Sequence, residues 1–223
     1  MTIYELLHGK TVNFIGDSLF GGHTLFLDPV WCRLFALKND MEHINYGSNG
    51  STLSDCKGGA KAIVKRYVEM ADNDPDIVVF EGGRNDYNKC AVIDDGTDDE
   101  TTYCGAIRTL VRGLREKYPR AVLVGVTFWK VNDTPNKEGV SCNEYTRAMM
   151  RTLDELGVAY VDATDTTKCP IDMTDRDNRV KYCLEGPGDV CHLNVQGFKD
   201  VMPFFEEEIA KIYARAMGVT LDL

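Results

Sequence analysis

The chain has 223 residues, 43% hydrophobic and 27% charged. That is the make-up of a globular protein, with length for one sizeable α/β domain. A formal net charge of −10 argues against a nucleic-acid partner, which would want a clustered basic face, and against binding to anionic membranes. No apolar run approaches the roughly 20 residues needed to cross a bilayer, so no membrane insertion is expected.

The amino terminus shows no basic, apolar and small-residue sequence of a secretory signal, and a cytoplasmic setting is expected. The eight cysteines include no Cys-x-x-Cys pair, which disfavours a structural zinc site, while a domain of this size without a visible signal favours reduced thiols.

Residues 2–8 predict an amphipathic turn. Residues 11–15, Thr-Val-Asn-Phe-Ile, predict a short buried strand that stops at Gly16-Asp17-Ser18. A strand ending this way delivers a hydroxyl to the carboxyl edge of a sheet, where open α/β sheets bind ligands. Gly16 permits a sharp turn, and Ser18 then lies in the first turn of a helix, whose free N–H groups favour negative charge. The alternative is that Asp17 or Ser18 merely caps that helix.

Residues 29–37 follow as a helix carrying Val30, Trp31, Leu34, Phe35 and Leu37, with Pro29 at its first turn. Residues 42–46 form a second strand running into Gly47-Ser-Asn-Gly-Ser-Thr52. A helix is expected over 56–70, with Ala60, Ile63, Val64, Tyr67 and Val68 facing inward. The unbroken apolar run 77–80 reads as a parallel strand covered on both faces, and it ends in Glu81-Gly-Gly-Arg-Asn-Asp86. Residues 94–100 form an acidic loop, then come a helix over 103–118 and a strand over 121–126 leading to Thr127-Phe-Trp-Lys130. A helix over 139–156 capped by Gly157 and a fifth strand over 158–161 complete the alternation. Residues 162–188 read as a long polar loop, and 194–217 as a terminal helix kinked or restarted at Pro203. This rhythm predicts one domain over 1–223, with a five-stranded parallel sheet between helical layers.

Four loops carry chemistry: Gly16-Asp-Ser18, Gly47-Ser-Asn-Gly50, Gly83-Arg-Asn-Asp86 and Asp189-Val-Cys-His192. Together they offer a nucleophile, a base, a group to orient that base, and donors for an oxyanion, the parts that acyl transfer needs. In these blocks, in this order, the chain resembles the SGNH hydrolases, the GDSL-type esterases and lipases. The resemblance implies a three-layer α/β/α flavodoxin-like fold and Ser18 as nucleophile. It also implies His192 as base with Asp189 as its partner, and no cofactor. The oxyanion would be held by the backbone N–H groups of Ser18 and Gly50 (Gly47 being the weaker alignment) and by the Asn85 side chain. The Gly-x-Ser-x-Gly elbow of α/β-hydrolases is absent, since Phe20 stands where it wants glycine.

Arg84 and Trp129 are expected to contact substrate, a small ester with a short acyl group or a carbohydrate acetate. Asp17 and Asp86 are expected to brace loops, and Cys191 to be a packed thiol rather than a nucleophile. His23 is the competing base, and His8 and His43 read as surface residues. Two rival functions remain at this level: a non-catalytic flavodoxin-like protein binding a small ligand, and a metal-assisted phosphoesterase built on the acidic residues.

Overall fold

The computed structural model describes residues 1–25, 30–56, 61–94 and 96–223. Five parallel strands, β1 (Thr11–Gly16), β2 (Glu42–Gly47), β3 (Ile77–Glu81), β4 (Val122–Val126) and β5 (Ala159–Val161), form one sheet in the order β2-β1-β3-β4-β5. Side chains alternate across each strand, so Phe14 and Val79 enter one apolar layer and Ile15 and Phe80 the other. Both layers are covered. Helices α1 (Ile3–Leu7), α3 (Trp31–Lys38) and α9 (Val195–Met217) pack on the first face, where Trp31 stacks on Phe205 with ring centroids 4.2 Å apart. Helices α4 (Ile63–Arg66), α6 (Tyr103–Lys117) and α7 (Cys142–Leu156) pack on the second. The result is a three-layer α/β/α flavodoxin-like fold.

From β1 the chain moves outward to β2 and then returns to the other side of β1 as β3. The sheet's direction of growth therefore reverses between β1 and β3, which opens a crevice at their carboxyl ends. Two short helices begin there, α2 (Ser18–Gly21) and α5 (Arg84–Asn88).

Three expectations need correction. The helix expected over 56–70 is reduced to α4 and a 3₁₀ turn, Tyr67–Glu69. Ala60, and with it residues 57–59, lies outside the described residues, as does Pro29. The backbone here is committed elsewhere: the Leu53 and Ser54 N–H groups donate to the Asp86 carboxylate, and those of Ile63 and Val64 to the carbonyls of Thr52 and Leu53. The long stretch before Asp189 contains a helix, α8 (Arg176–Tyr182), capped by the Asp175 side chain and packed on α9. Finally, α9 runs through Pro203 without restarting. Pro203 is solvent-exposed, so water can satisfy the carbonyl one turn back that loses its N–H partner.

Candidate active site

Ser18 opens α2 behind the Asp17 cap, and its Oγ lies 3.1 Å from His192 Nε2, across 174 residues of sequence. His192 Nδ1 lies 3.2 Å from Asp189 Oδ2. The other Asp189 oxygen accepts the backbone N–H groups of Cys191 (2.9 Å) and His192 (3.2 Å). One turn of chain thus aims both the carboxylate and the imidazole. The turn is pinned from behind: the Trp129 indole N–H donates to the Val190 carbonyl at 3.0 Å, and Leu184 N–H to the His192 carbonyl at 2.8 Å. Trp129 is only 1% exposed, so it stands behind this turn rather than on a surface that substrate could touch, contrary to expectation. His23, the competing base, lies instead flat against His192, with centroids 3.8 Å apart and planes at 12°, and its Nε2 meets Glu185 Oε1 at 3.2 Å. Burial pushes the Cys191 thiol up to about 11, so it is a packed thiol and not a thiolate nucleophile.

The block after β2 closes against α2. Asn45 Nδ2 donates to the Phe20 carbonyl at 2.7 Å, and a Cβ on Gly47 would overlap the Gly21 nitrogen and the Phe20 carbonyl carbon. Glycine is needed at 47 for this close approach. Gly47→Ala is expected to lose about 1–3 kcal/mol of stability through overpacking, read as a lower urea midpoint with an unchanged m-value. Gly50 differs: its φ is +75°, nothing would crowd its Cβ, and its N–H donates to no group among the described residues.

Asn85 reaches the same place. Its amide nitrogen donates to Asp17 Oδ2 at 2.8 Å and to the Ser51 carbonyl at 2.9 Å. Asp86, fully buried, holds the loop through Leu53 N–H, Ser54 N–H and the Ser54 hydroxyl, the bracing role expected of it.

Sequence reading missed what lies beneath. Glu81, 2% exposed at the end of β3, accepts the Asp17 backbone N–H, and the two carboxyls share a hydrogen bond. A Cβ on Gly16 would overlap the Glu81 carboxyl. Burial pushes both acids up, Glu81 well above the usual range because Asp17's charge opposes its ionisation. Glu81 is the more strongly raised of the two, while Asp17 accepts from Asn85. Arg66 adds positive charge nearby, with its nitrogens bound to the carbonyls of Tyr46 (2.7 Å) and Gly16 (2.9 Å). The available signal was a carboxyl closing an otherwise apolar strand beside Gly82-Gly83.

The raised Glu81 carboxyl has a consequence for stability. A native state that keeps a proton the unfolded chain releases binds more protons than the unfolded chain does. Its stability then falls as pH rises from about 4.3 toward the raised folded value. Glu81→Gln keeps a donor and removes the titration. The variant's stability relative to wild type is expected to grow between pH 5 and 8, measured by urea unfolding; a pH-independent difference would refute the buried proton.

The acidic loop is tied down rather than gathered: Asp94 pairs with Arg108 (3.0 Å), Asp98 with Arg112 (2.6 Å) and Glu100 with Lys65. Among the described residues no cluster of three His, Cys, Asp or Glu could hold a metal ion, and no helix is long and apolar enough to cross a membrane.

Comparisons with known proteins agree with this architecture. A Lactobacillus plantarum protein of known structure superposes with a TM-score of 0.80 at 20% identity, covering 92% of this chain and 98% of its own. The lipase/acylhydrolase of Enterococcus faecalis gives 0.65 at 16% identity, covering 91% and 96%. A carbohydrate esterase family 2 enzyme from Corynascus thermopiles, carrying an additional carbohydrate-binding domain, gives 0.64 at 19% identity, covering 95% and 68%. At these identities the likeness is one of fold. No curated protein matches the chain. The family model of the GDSL-like lipases and acylhydrolases matches residues 14–199, a span from the strand before Ser18 to beyond His192, and the chain belongs to that family of hydrolases.

Proposed function

We propose that the protein is a serine esterase that hydrolyses small carboxylic esters through an acyl-enzyme on Ser18. The observation that carries this reading is the continuous line from Ser18 Oγ to His192 Nε2 (3.1 Å) and from Nδ1 to Asp189 (3.2 Å). His192 takes the Ser18 proton as Oγ attacks the ester carbonyl carbon, and returns it to the alkoxide as the C–O bond breaks. Water, deprotonated by His192, then attacks the acyl carbon, and His192 returns that proton to Ser18 Oγ as the acyl–Oγ bond breaks and the acid leaves. Asp189 holds the imidazole with Nδ1 protonated and stabilises the imidazolium.

For the oxyanion, the first-turn N–H of Ser18 and the N–H of Gly50 are the donors best suited. Asn85 is the third, and its two present partners mean that one of those bonds must be shared with the oxyanion. The preformed Asp17–Asn85 bond keeps the amide from turning away. Short acyl groups on a polar alcohol, carbohydrate acetates among them, suit a site with no long apolar lid among the described residues. The carbohydrate esterase among the structural neighbours is compatible with this preference.

Incubation with a fluorophosphonate tests the reading. Stoichiometric labelling mapped to Ser18 by peptide mass spectrometry, with parallel loss of p-nitrophenyl acetate turnover, is expected. Undiminished turnover after complete labelling, or turnover abolished by chelators, would overturn it.

A further inference from the structure

Arg84 opens α5, next to Asn85, and its Nε donates to the Cys191 sulfur at 2.9 Å, one residue from His192. Its guanidinium is held near two aromatic rings, 4.9 Å from the Tyr87 centroid and 5.7 Å from that of Phe128, which follows the carboxyl end of β4. A thiol of Cys142 is its other neighbour. No carboxylate lies within ion-pair distance of it among the described residues, and its terminal nitrogens meet no carbonyl there. The Arg84 side chain is half-buried, not sealed in.

Arg66, also half-buried, makes the contrast: its guanidinium is used up on carbonyls and the Ser51 hydroxyl. Removing a cation from water is costly unless an anion meets it. Here none of the described residues supplies one, although the chain carries ten more acidic than basic charges. A planar fork held against aromatic rings, with thiols rather than carboxylates or carbonyls as its partners, suits a carboxylate arriving with substrate.

We propose that Arg84 anchors an anion beside His192, and that the preferred substrates are short esters bearing a carboxylate on either the acid or the alcohol part; this rests on the serine-esterase reading. The test compares kcat/KM by pH-stat in two arms. Ethyl hydrogen succinate against ethyl butyrate places the charge on the acid part, and O-acetylglycolate against ethyl acetate places it on the alcohol part. Wild type is expected to favour the anionic member of one arm, and Arg84→Gln to reduce that anionic-to-neutral ratio about 10- to 100-fold, the range of a hydrogen-bonded charge. Arg84→Lys, which keeps the charge without the fork, is expected to recover part of the ratio.

Succinate is likewise expected to inhibit wild-type turnover of a neutral ester competitively, and succinamide far less, a measurement that needs no variant. Equal preference in both arms with no inhibition by succinate overturns the proposal while leaving the esterase intact. An equal fall on all esters in Arg84→Gln also overturns it, making Arg84 a brace for Cys191 and His192. No turnover of any ester together with no labelling of Ser18 would remove the esterase reading, and this inference with it.

Discussion

Replacing Ser18 with alanine is expected to lower kcat on any ester the wild type turns over by roughly 10⁶-fold, the loss seen when a triad nucleophile is removed. His192 Nε2 would face a methyl group, and water would have to reach the carbonyl without a covalent intermediate. The effect should be confined to chemistry. Ser18 Oγ has His192 as its hydrogen-bond partner, and the Asp17 cap of α2 uses Leu19 N–H rather than the hydroxyl. The urea midpoint should therefore move little. Because nucleophile and base act as one unit, adding His192→Ala to Ser18→Ala should cost almost nothing further. Steady-state kinetics of the single and double variants check both statements. Retention of more than about a hundredth of wild-type kcat by the single variant, far above what the oxyanion donors alone supply, would discredit Ser18 as nucleophile.

Asp189→Asn should lower kcat by roughly 10⁴-fold with little loss of stability. The asymmetry of the carboxylate's contacts makes this a sharp test. Oδ1 accepts the Cys191 and His192 backbone N–H groups, while Oδ2 faces His192 Nδ1. An asparagine keeps its oxygen on the two backbone donors and turns its amino group toward Nδ1. Nδ1 must then be the unprotonated nitrogen, so the proton moves to Nε2, and Nε2 can no longer accept from Ser18. The turn survives and the base is lost. Nuclear magnetic resonance of the imidazole nitrogens would report the exchanged tautomer, and pH-stat kinetics the lost turnover. A variant that keeps wild-type kcat would show that Asp189 only shapes the turn.

The parts that were legible in the sequence share a physical cause. Strands buried on both faces must be apolar throughout, so residues 77–80 announced β3. Loops that leave a parallel sheet at its carboxyl edge carry polar residues beside glycines, so the blocks after β1, β2 and β3 stood out, and the resemblance to the SGNH hydrolases singled out Ser18, Gly50, Asn85 and His192 as the proposed site residues. The readings that failed depended on distant partners. Residues 56–70 have an acceptable helical stripe, yet Asp86 and the carbonyls of Thr52 and Leu53 capture local N–H groups. Trp129 has the composition of a pocket wall but is consumed by the Val190 carbonyl.

Local pattern by itself thus determined the five strands in their order, the parallel sheet and the polar residue types at its carboxyl edge, because periodicity and turn chemistry act over a few residues. Tertiary structure alone decided that Glu81 lies buried against Asp17, that His23 lies against His192, and that Arg84 meets no carboxylate among the described residues. Those facts depend on which groups fold excludes from water together, and groups separated by 60 to 170 positions leave no periodic trace of that meeting.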